Sequence, residues 1–269
     1  MKRKSRMKNL PSPISLKKNR LRSLAGSFEN WFDDAVEPRI AEMQNESASL
    51  EMKIDALKNS LTHEQVDRNG VSVVDGGEAE RPCDGDIAIY EQMGELYYDF
   101  DMNEERLLSV GSMRVVCLFK DFEIILKDLI AEAFSDVNKR DLFQWENVKS
   151  FLNSNGIPLG NVMEYESINC LRTVNNNIKH SGVIDEKIKR QGIPEFKDKE
   201  IFDSESVSSF YFRIRGKPGV FMNAFAEVLI AYLYEFDDAR ISTIASDYKE
   251  RMDSVAGQKL IDALSEIYT

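Results

Sequence analysis

Residues 110–134 read VGSMRVVCLFKDFEIILKDLIAEAF, and this stretch sets the fold class. Val115, Val116, Leu118, Phe119, Phe122, Ile124, Ile125, Leu126, Leu129, Ile130, Ala133 and Phe134 recur without the strict alternation of a strand. Their steps of three and four fit a helix, and a helix apolar on most sides lies in a core or a subunit interface. The spacing predicts a long helix over 103–137, preceded by a shorter one over 87–100 with Tyr90, Met93, Tyr97 and Tyr98 on its apolar face.

On its C-terminal side, residues 145–153 predict a short helix stopped by Asn155, Gly156 and Pro158. Residues 161–180 predict the next helix, with Gly182 suited to the left-handed position beyond its end. Residues 184–206 are polar and contain Pro194, which reads as a loop, and 206–213 reads as a short strand or helical turn. Residues 217–234 are strongly apolar helix, and 237–269 are amphipathic helix. Towards the N-terminus, residues 25–68 carry apolar positions in steps of three, four and seven, from Phe28 and Trp31 to Leu57 and Leu61. This is a helical arm, either a short coiled coil or an αα-hairpin packed on its own body. Residues 69–86 hold Gly70, Gly76, Gly77, Pro82 and Gly85 and read as a linker. The fold class is therefore all-α, a helical bundle of residues 87–236 with a long N-terminal helical or coiled-coil arm.

Composition narrows the functional classes. The 269 residues are 42% hydrophobic and 30% charged, enough for a sizeable core. Three cysteines, Cys83, Cys117 and Cys170, are odd in number and widely spaced, which speaks against a disulfide framework or a zinc knuckle; the last two read as buried thiols. No run reaches the 18 or so apolar residues of a membrane span, and a cytoplasmic setting with no membrane partner is expected. The net charge is −11, yet residues 1–22 carry nine basic residues and no acid, leaving −20 on the rest. Residues 1–24 read as a basic flexible arm, either a solvated tail or a contact for phosphate backbones.

Chemistry concentrates in residues 171–182, LRTVNNNIKHSG. At about 100° per residue, Leu171, Val174 and Ile178 form a core-facing stripe. Arg172, Asn176 and His180, spaced i, i+4, i+8, form a polar ridge, flanked by Lys179, Asn175 and Asn169. Imidazole exchanges protons near neutral pH, and cationic groups stabilise charge that develops on a phosphoryl group. Such a set suits cleavage of an RNA phosphodiester with the 2′-hydroxyl as internal nucleophile. The chain has two histidines, His63 and His180, and lacks HExxH, GxxxxGK[ST], GxGxxG and GxSxG motifs. No metal and no cofactor are expected. An ordinary solvated helix face, with His180 favoured at a helix C-terminus, is the competing reading.

A helical core ending in Asn-x-x-x-His, with an Arg a few residues earlier, resembles the HEPN superfamily. The residues that carry the resemblance are Arg172, Asn176 and His180, and it covers residues 105–236 or so. The resemblance implies a four- or five-helix domain that dimerises, so that the Arg and His of two copies meet in a cleft. It implies a metal-independent endoribonuclease, or an RNA-directed effector, of toxin–antitoxin, antiviral and related defence systems. His180 would then act in acid/base chemistry, Arg172 would stabilise the scissile phosphate and Asn176 would orient or bind it, with Lys179, Asn175 and Asn169 contacting substrate. The implied partners are a second copy of the chain, RNA, and a partner protein or antitoxin. Seven residues separate Arg172 from His180, where the family pattern has four to six. Members without catalysis serve as RNA-binding or assembly modules, so a helical scaffold and an RNA-binding regulator stand as alternatives.

Overall fold

The computed structural model describes residues 13–29, 31–69 and 84–268, with side chains for 14–29, 32–61 and 87–267. Residues 1–12, much of the expected linker and the side chain of His63 lie outside the described residues. Among the described residues the chain is all-α. It has no β-strand, and its one β-type contact is an isolated antiparallel bridge between Val183 and Ile201. The helices are α1 (Pro13–Gly26), α2 (Trp31–Asn69), α3 (Asp84–Ala133), α4 (Trp145–Ser154), α5 (Tyr165–His180), α6 (Glu186–Gln191), α7 (Ser204–Ile214), α8 (Lys217–Tyr234), α9 (Asp238–Arg251) and α10 (Ser254–Tyr268).

The two helices expected over 87–100 and 103–137 are one. The 50-residue α3 runs through residues 101–102 unbroken, because Asp101 and Met102 are compatible with helix and neither Gly nor Pro interrupts there. Its second half fills the core. Leu118, Phe122, Leu126, Leu129 and Ile130 are fully buried, and the Phe122 ring meets Phe221 of α8 edge-on at 5.4 Å. Its first half extends beyond the bundle, so Tyr90, Tyr97 and Tyr98, expected on an apolar contact face, stay exposed.

The arm is an antiparallel αα-hairpin. Ile40, Met43, Leu50 and Ile54 of α2 are buried against the first half of α3. The amide of Asn103, itself 1% exposed, donates to Met43 O at 2.7 Å and to Ser47 Oγ at 2.8 Å. At the body end, Arg114 donates from Nε to Asp33 and from Nη2 to Glu37, both at 2.6 Å. Its guanidinium lies 4.1 Å from the Tyr211 ring centroid, so one buried cation joins α2, α3 and α7. The backbones of α3 and α7 approach closely at Gly111, where a Cβ would stand 3.3 Å from Val207 Cγ1.

Two expectations are corrected and one open alternative is decided. Residues 13–24, expected within a flexible arm, belong to α1, which packs on α3 and α8 with Leu21 and Ala25 buried. Its basic residues are committed to the body. Lys17 caps the C-terminal end of α3 through Ala133 O at 3.4 Å, Lys18 lies over the Tyr234 ring, Arg20 faces Glu132, and Arg22 forks onto Glu227 at 2.7 and 2.9 Å. Residues 184–206, read as a loop, instead contain α6, a single 3-10 turn at Pro194–Phe196 and the buried side chains Ile184, Ile188, Ile193, Phe196 and Phe202. Residues 206–213, left between strand and helical turn, belong to the helix α7, started by Asp203, whose side chain accepts from Ser206 N at 2.9 Å.

Candidate functional site

The helix that carries the polar ridge is positioned at both ends. It starts at Glu164, the one non-glycine residue with positive φ (64°) among the described residues. That conformation costs about 1 kcal/mol for a residue with a Cβ, and side-chain contacts hold it in place. Lys217 Nζ donates to one Glu164 oxygen at 2.9 Å and Ser167 Oγ to the other at 2.7 Å. These bonds also hold the Glu164 carboxyl below the usual carboxylate range. The helix ends as its sequence predicts. Gly182 is left-handed (φ 64°), and its amide and that of Ser181 both donate to Asn177 O at 3.0 Å.

Between these ends, Leu171 and Val174 are fully buried and Ile178 packs against the core, as the stripe requires. Thr173 and Asn177 are buried on a second face that ties α5 to α6. Gln191 Nε2 donates to Thr173 Oγ1 at 3.0 Å, and Asn177 Oδ1 accepts from Asp185 N at 3.2 Å. These two polar residues are structural, since their capacity is used inside the fold.

The ridge splits into a buried end and an open end. At the buried end, the Arg172 guanidinium lies 5.5 Å from the Trp145 ring centroid, and its Nη2 donates to Asn169 Oδ1 at 3.4 Å. Trp145 in turn lies 6.3 Å from Phe122 of α3, so α3, α4 and α5 converge here. Asn175, 1% exposed, donates from Nδ2 to Oδ1 of the half-buried Asn176 at 3.1 Å. Lys179 and His180 form the open end, both exposed. Lys179 comes near enough to Cys117 of α3 to act on its thiol, although burial, aided by Asp121, dominates and pushes that thiol up. Cys117 and Cys170 are half-buried rather than fully buried, and burial raises both thiols.

The structure thus brings Arg172 to Asn169 and Asn175 to Asn176, while His180, one turn beyond Asn176, stays away from Arg172. Eight residues of helix place the His180 backbone about 12 Å along the axis from that of Arg172. Asn175, expected as a substrate contact beside the ridge, is instead buried with its amide turned to Asn176.

The junction of Arg172 with Trp145 holds unsatisfied polar atoms. Among the described residues, six buried side-chain N or O atoms have no hydrogen-bond partner. Two of them, Trp145 Nε1 and Arg172 Nε, belong to side chains that touch here, while Asp121 Oδ2 and Asn175 Oδ1 lie elsewhere on α3 and α5. Each costs about 1–3 kcal/mol when left unpaired, and buried polar groups in native proteins are otherwise nearly all satisfied. Two unpaired donors on touching side chains are what an acceptor such as a phosphate oxygen requires. Burial also raises the Asp121 carboxyl above its ordinary value, which Lys120 partly offsets. Sequence reading missed Trp145 and Asp121. The available signal was Asp121 itself, a charge one residue before the buried Phe122 in an otherwise apolar helix. Among the described residues no group of three or more His, Cys, Asp or Glu side chains is arranged to hold a metal ion.

Compared with known protein families, with characterised proteins and with solved structures, the chain finds no match.

Proposed function

We propose that the chain is a HEPN-like, RNA-directed protein that cleaves RNA without a metal as a homodimer, with Arg172, Asn176 and His180 as its working groups. The observation that carries this reading is the junction under Arg172, where a half-buried guanidinium retains an unpaired Nε on the same helix as an exposed imidazole. A guanidinium with spare donors suits a phosphate, and an exposed imidazole suits proton transfer to and from ribose oxygens. The 12 Å or so between them within one copy is bridged by symmetry. Two α5 helices crossing antiparallel about a two-fold axis near Asn176 place His180 of one copy beside Arg172 of the other, as an isologous contact demands. Cleavage then passes through attack of the 2′-hydroxyl on phosphorus, with loss of the 5′-oxygen and a 2′,3′-cyclic phosphate as product. His180 takes the first proton or supplies the second, Arg172 holds the non-bridging oxygens, and Asn176 fixes the phosphate between them.

The test is incubation of the full chain with labelled RNA in EDTA. His180→Ala is expected to reduce cleavage by about 10²–10⁴-fold, and Arg172→Ala to a similar extent, with the melting temperature of His180→Ala unchanged because that side chain is exposed. Intact RNA with the wild-type chain, or cleavage that survives both changes, sinks the nuclease reading. A second reading, RNA binding without cleavage, is favoured by the separation of His180 from Arg172 within one copy. It predicts salt-sensitive binding that weakens in Arg172→Ala while the RNA stays whole.

A further inference from the structure

The C-terminal helices α9 and α10 have the pattern of core helices and none of the cover. In α9, Ile241, Ile244 and Tyr248, with Met252 just beyond its end, follow steps of three and four, and in α10 Leu260, Leu264 and Ile267 do the same, with Ile261 beside Leu260. This is the seam of a left-handed bundle. Yet α9 contains no buried residue, and neither helix packs extensively on the body or closely along the other. Arg240 fastens the start of α9 to the end of α8, donating to Glu235 O at 2.7 Å and lying over the rings of Tyr232 and Phe236. Asp253, whose carboxylate accepts from the amides of Val255 and Ala256, turns the chain into α10. Beyond that joint the helices diverge around an open groove of about 1020 Å³ lined by apolar side chains from both.

We infer that this hairpin pairs with the hairpin of a second copy of the chain, each closing the other's groove to make an intermolecular four-helix bundle. Three arguments select a second copy. The first is area: Phe236, Ile241, Tyr248, Ile261, Leu264 and Ile267 are between 46% and 74% exposed. A large apolar side chain in that state presents on the order of 100 Å². With their neighbours these give roughly 700–800 Å² per copy, close to the ~800 Å² per partner of a standard stable interface. The second is charge: residues 238–268 carry six acids and four bases, a net of −2 with both signs interspersed, so two copies do not repel strongly. The same balance lacks the Lys/Arg-rich polar face of a helix that lies on an anionic membrane. The third is composition: residues 1–12 carry five basic residues, and in residues 70–83 three valines within 71–74 among three glycines and four charges are too few to fill a groove that spans two helices. The pairing uses no residue of α5 and stands whether or not α5 cleaves RNA; the two contacts fit one dimer when they share a two-fold axis.

The experiment is the molar mass of the full chain in solution across a concentration series, for wild type and for Ile241→Glu with Ile261→Glu. Both positions are more than half exposed in the single chain, so the changes leave its fold alone. Wild type is expected at twice 30.8 kDa, and the variant is expected to weaken dimerisation by about 100-fold or more, because a carboxylate is costly to bury. A charge change on the polar face, Lys259→Glu, is the control and keeps the dimer. A monomeric wild type at tens of micromolar, or a dimer undisturbed by the double change, overturns the inference. Helix content and melting temperature of the variant at low concentration distinguish loss of pairing from loss of folding. RNA cleavage in EDTA is scored separately on the wild-type chain: a stable dimer that leaves RNA intact overturns only the nuclease reading, and a dimer that cleaves RNA but survives the double change overturns only this pairing.

Discussion

Replacing Arg114 by methionine removes a guanidinium that is 2% exposed and holds two carboxylates at 2.6 Å, while keeping an apolar side chain of similar reach. The cost is asymmetric. Glu37 is about half exposed and can return to water, so its loss matters little. Asp33 is 13% exposed and left with Arg215 at 3.8 Å, a long contact that compensates only in part. The Tyr211 ring also loses its cation at 4.1 Å. Breaking a buried pair by deleting one partner costs about 3–5 kcal/mol; the residual Arg215 contact puts this case near 3. For a chain of this length each kcal/mol moves the melting temperature by about 2–4 °C, so a fall of roughly 6–12 °C is expected by calorimetry. Arg114→Lys is expected to lie between the two, since an ammonium keeps the charge but cannot fork onto both acids. A shift below about 2 °C for Arg114→Met would refute the claim that this cation locks the arm to the body, as would recovery of full stability in Arg114→Lys.

Leu21→Ala is expected to cost about 2–5 kcal/mol, measured by urea unfolding, because Leu21 is fully buried in the main core; an effect within error would return α1 to the status of a tail. Asp121→Asn is expected to stabilise the chain by about 1 kcal/mol at pH 7 and to have little effect near pH 3. The folded state holds the Asp121 proton more tightly than the unfolded chain does, so its contribution is present below the ordinary carboxylate pKa and is lost as pH rises through the raised value. Equal stability of wild type and Asp121→Asn at pH 3 and at pH 7 would show that burial of this carboxyl carries no penalty.

Periodicity was enough for the class and for most helices. The apolar rows of α3 and α8 repeat at three and four, and burial of one helical face is a local property that a one-dimensional pattern records. The end of α5 was legible for the same reason, since Gly182 serves a backbone conformation set by its own neighbours. The continuity of α3 across residues 101–102 was less so, because nothing in the sequence states which half of a 50-residue helix finds a partner. The region 184–206 was misread because five buried apolar residues spaced three to six apart follow neither period.

The order of residues alone is enough to make the chain helical, to turn Leu171, Val174 and Ile178 inward, and to put Arg172, Asn176 and His180 on a common side of one helix. It took the packed molecule to rest Arg172 on Trp145, to bury Asn175, to engage the basic residues of α1 with α3 and α8, and to leave α9 and α10 uncovered. No single helix among the described residues is long and apolar enough to cross a membrane, which the hydropathy of the sequence also indicates. The division has a physical cause. Backbone hydrogen bonds and face periodicity act over four residues, whereas desolvation, ring stacking and ion pairing depend on groups such as Asp33 and Arg114, 81 positions apart in the chain.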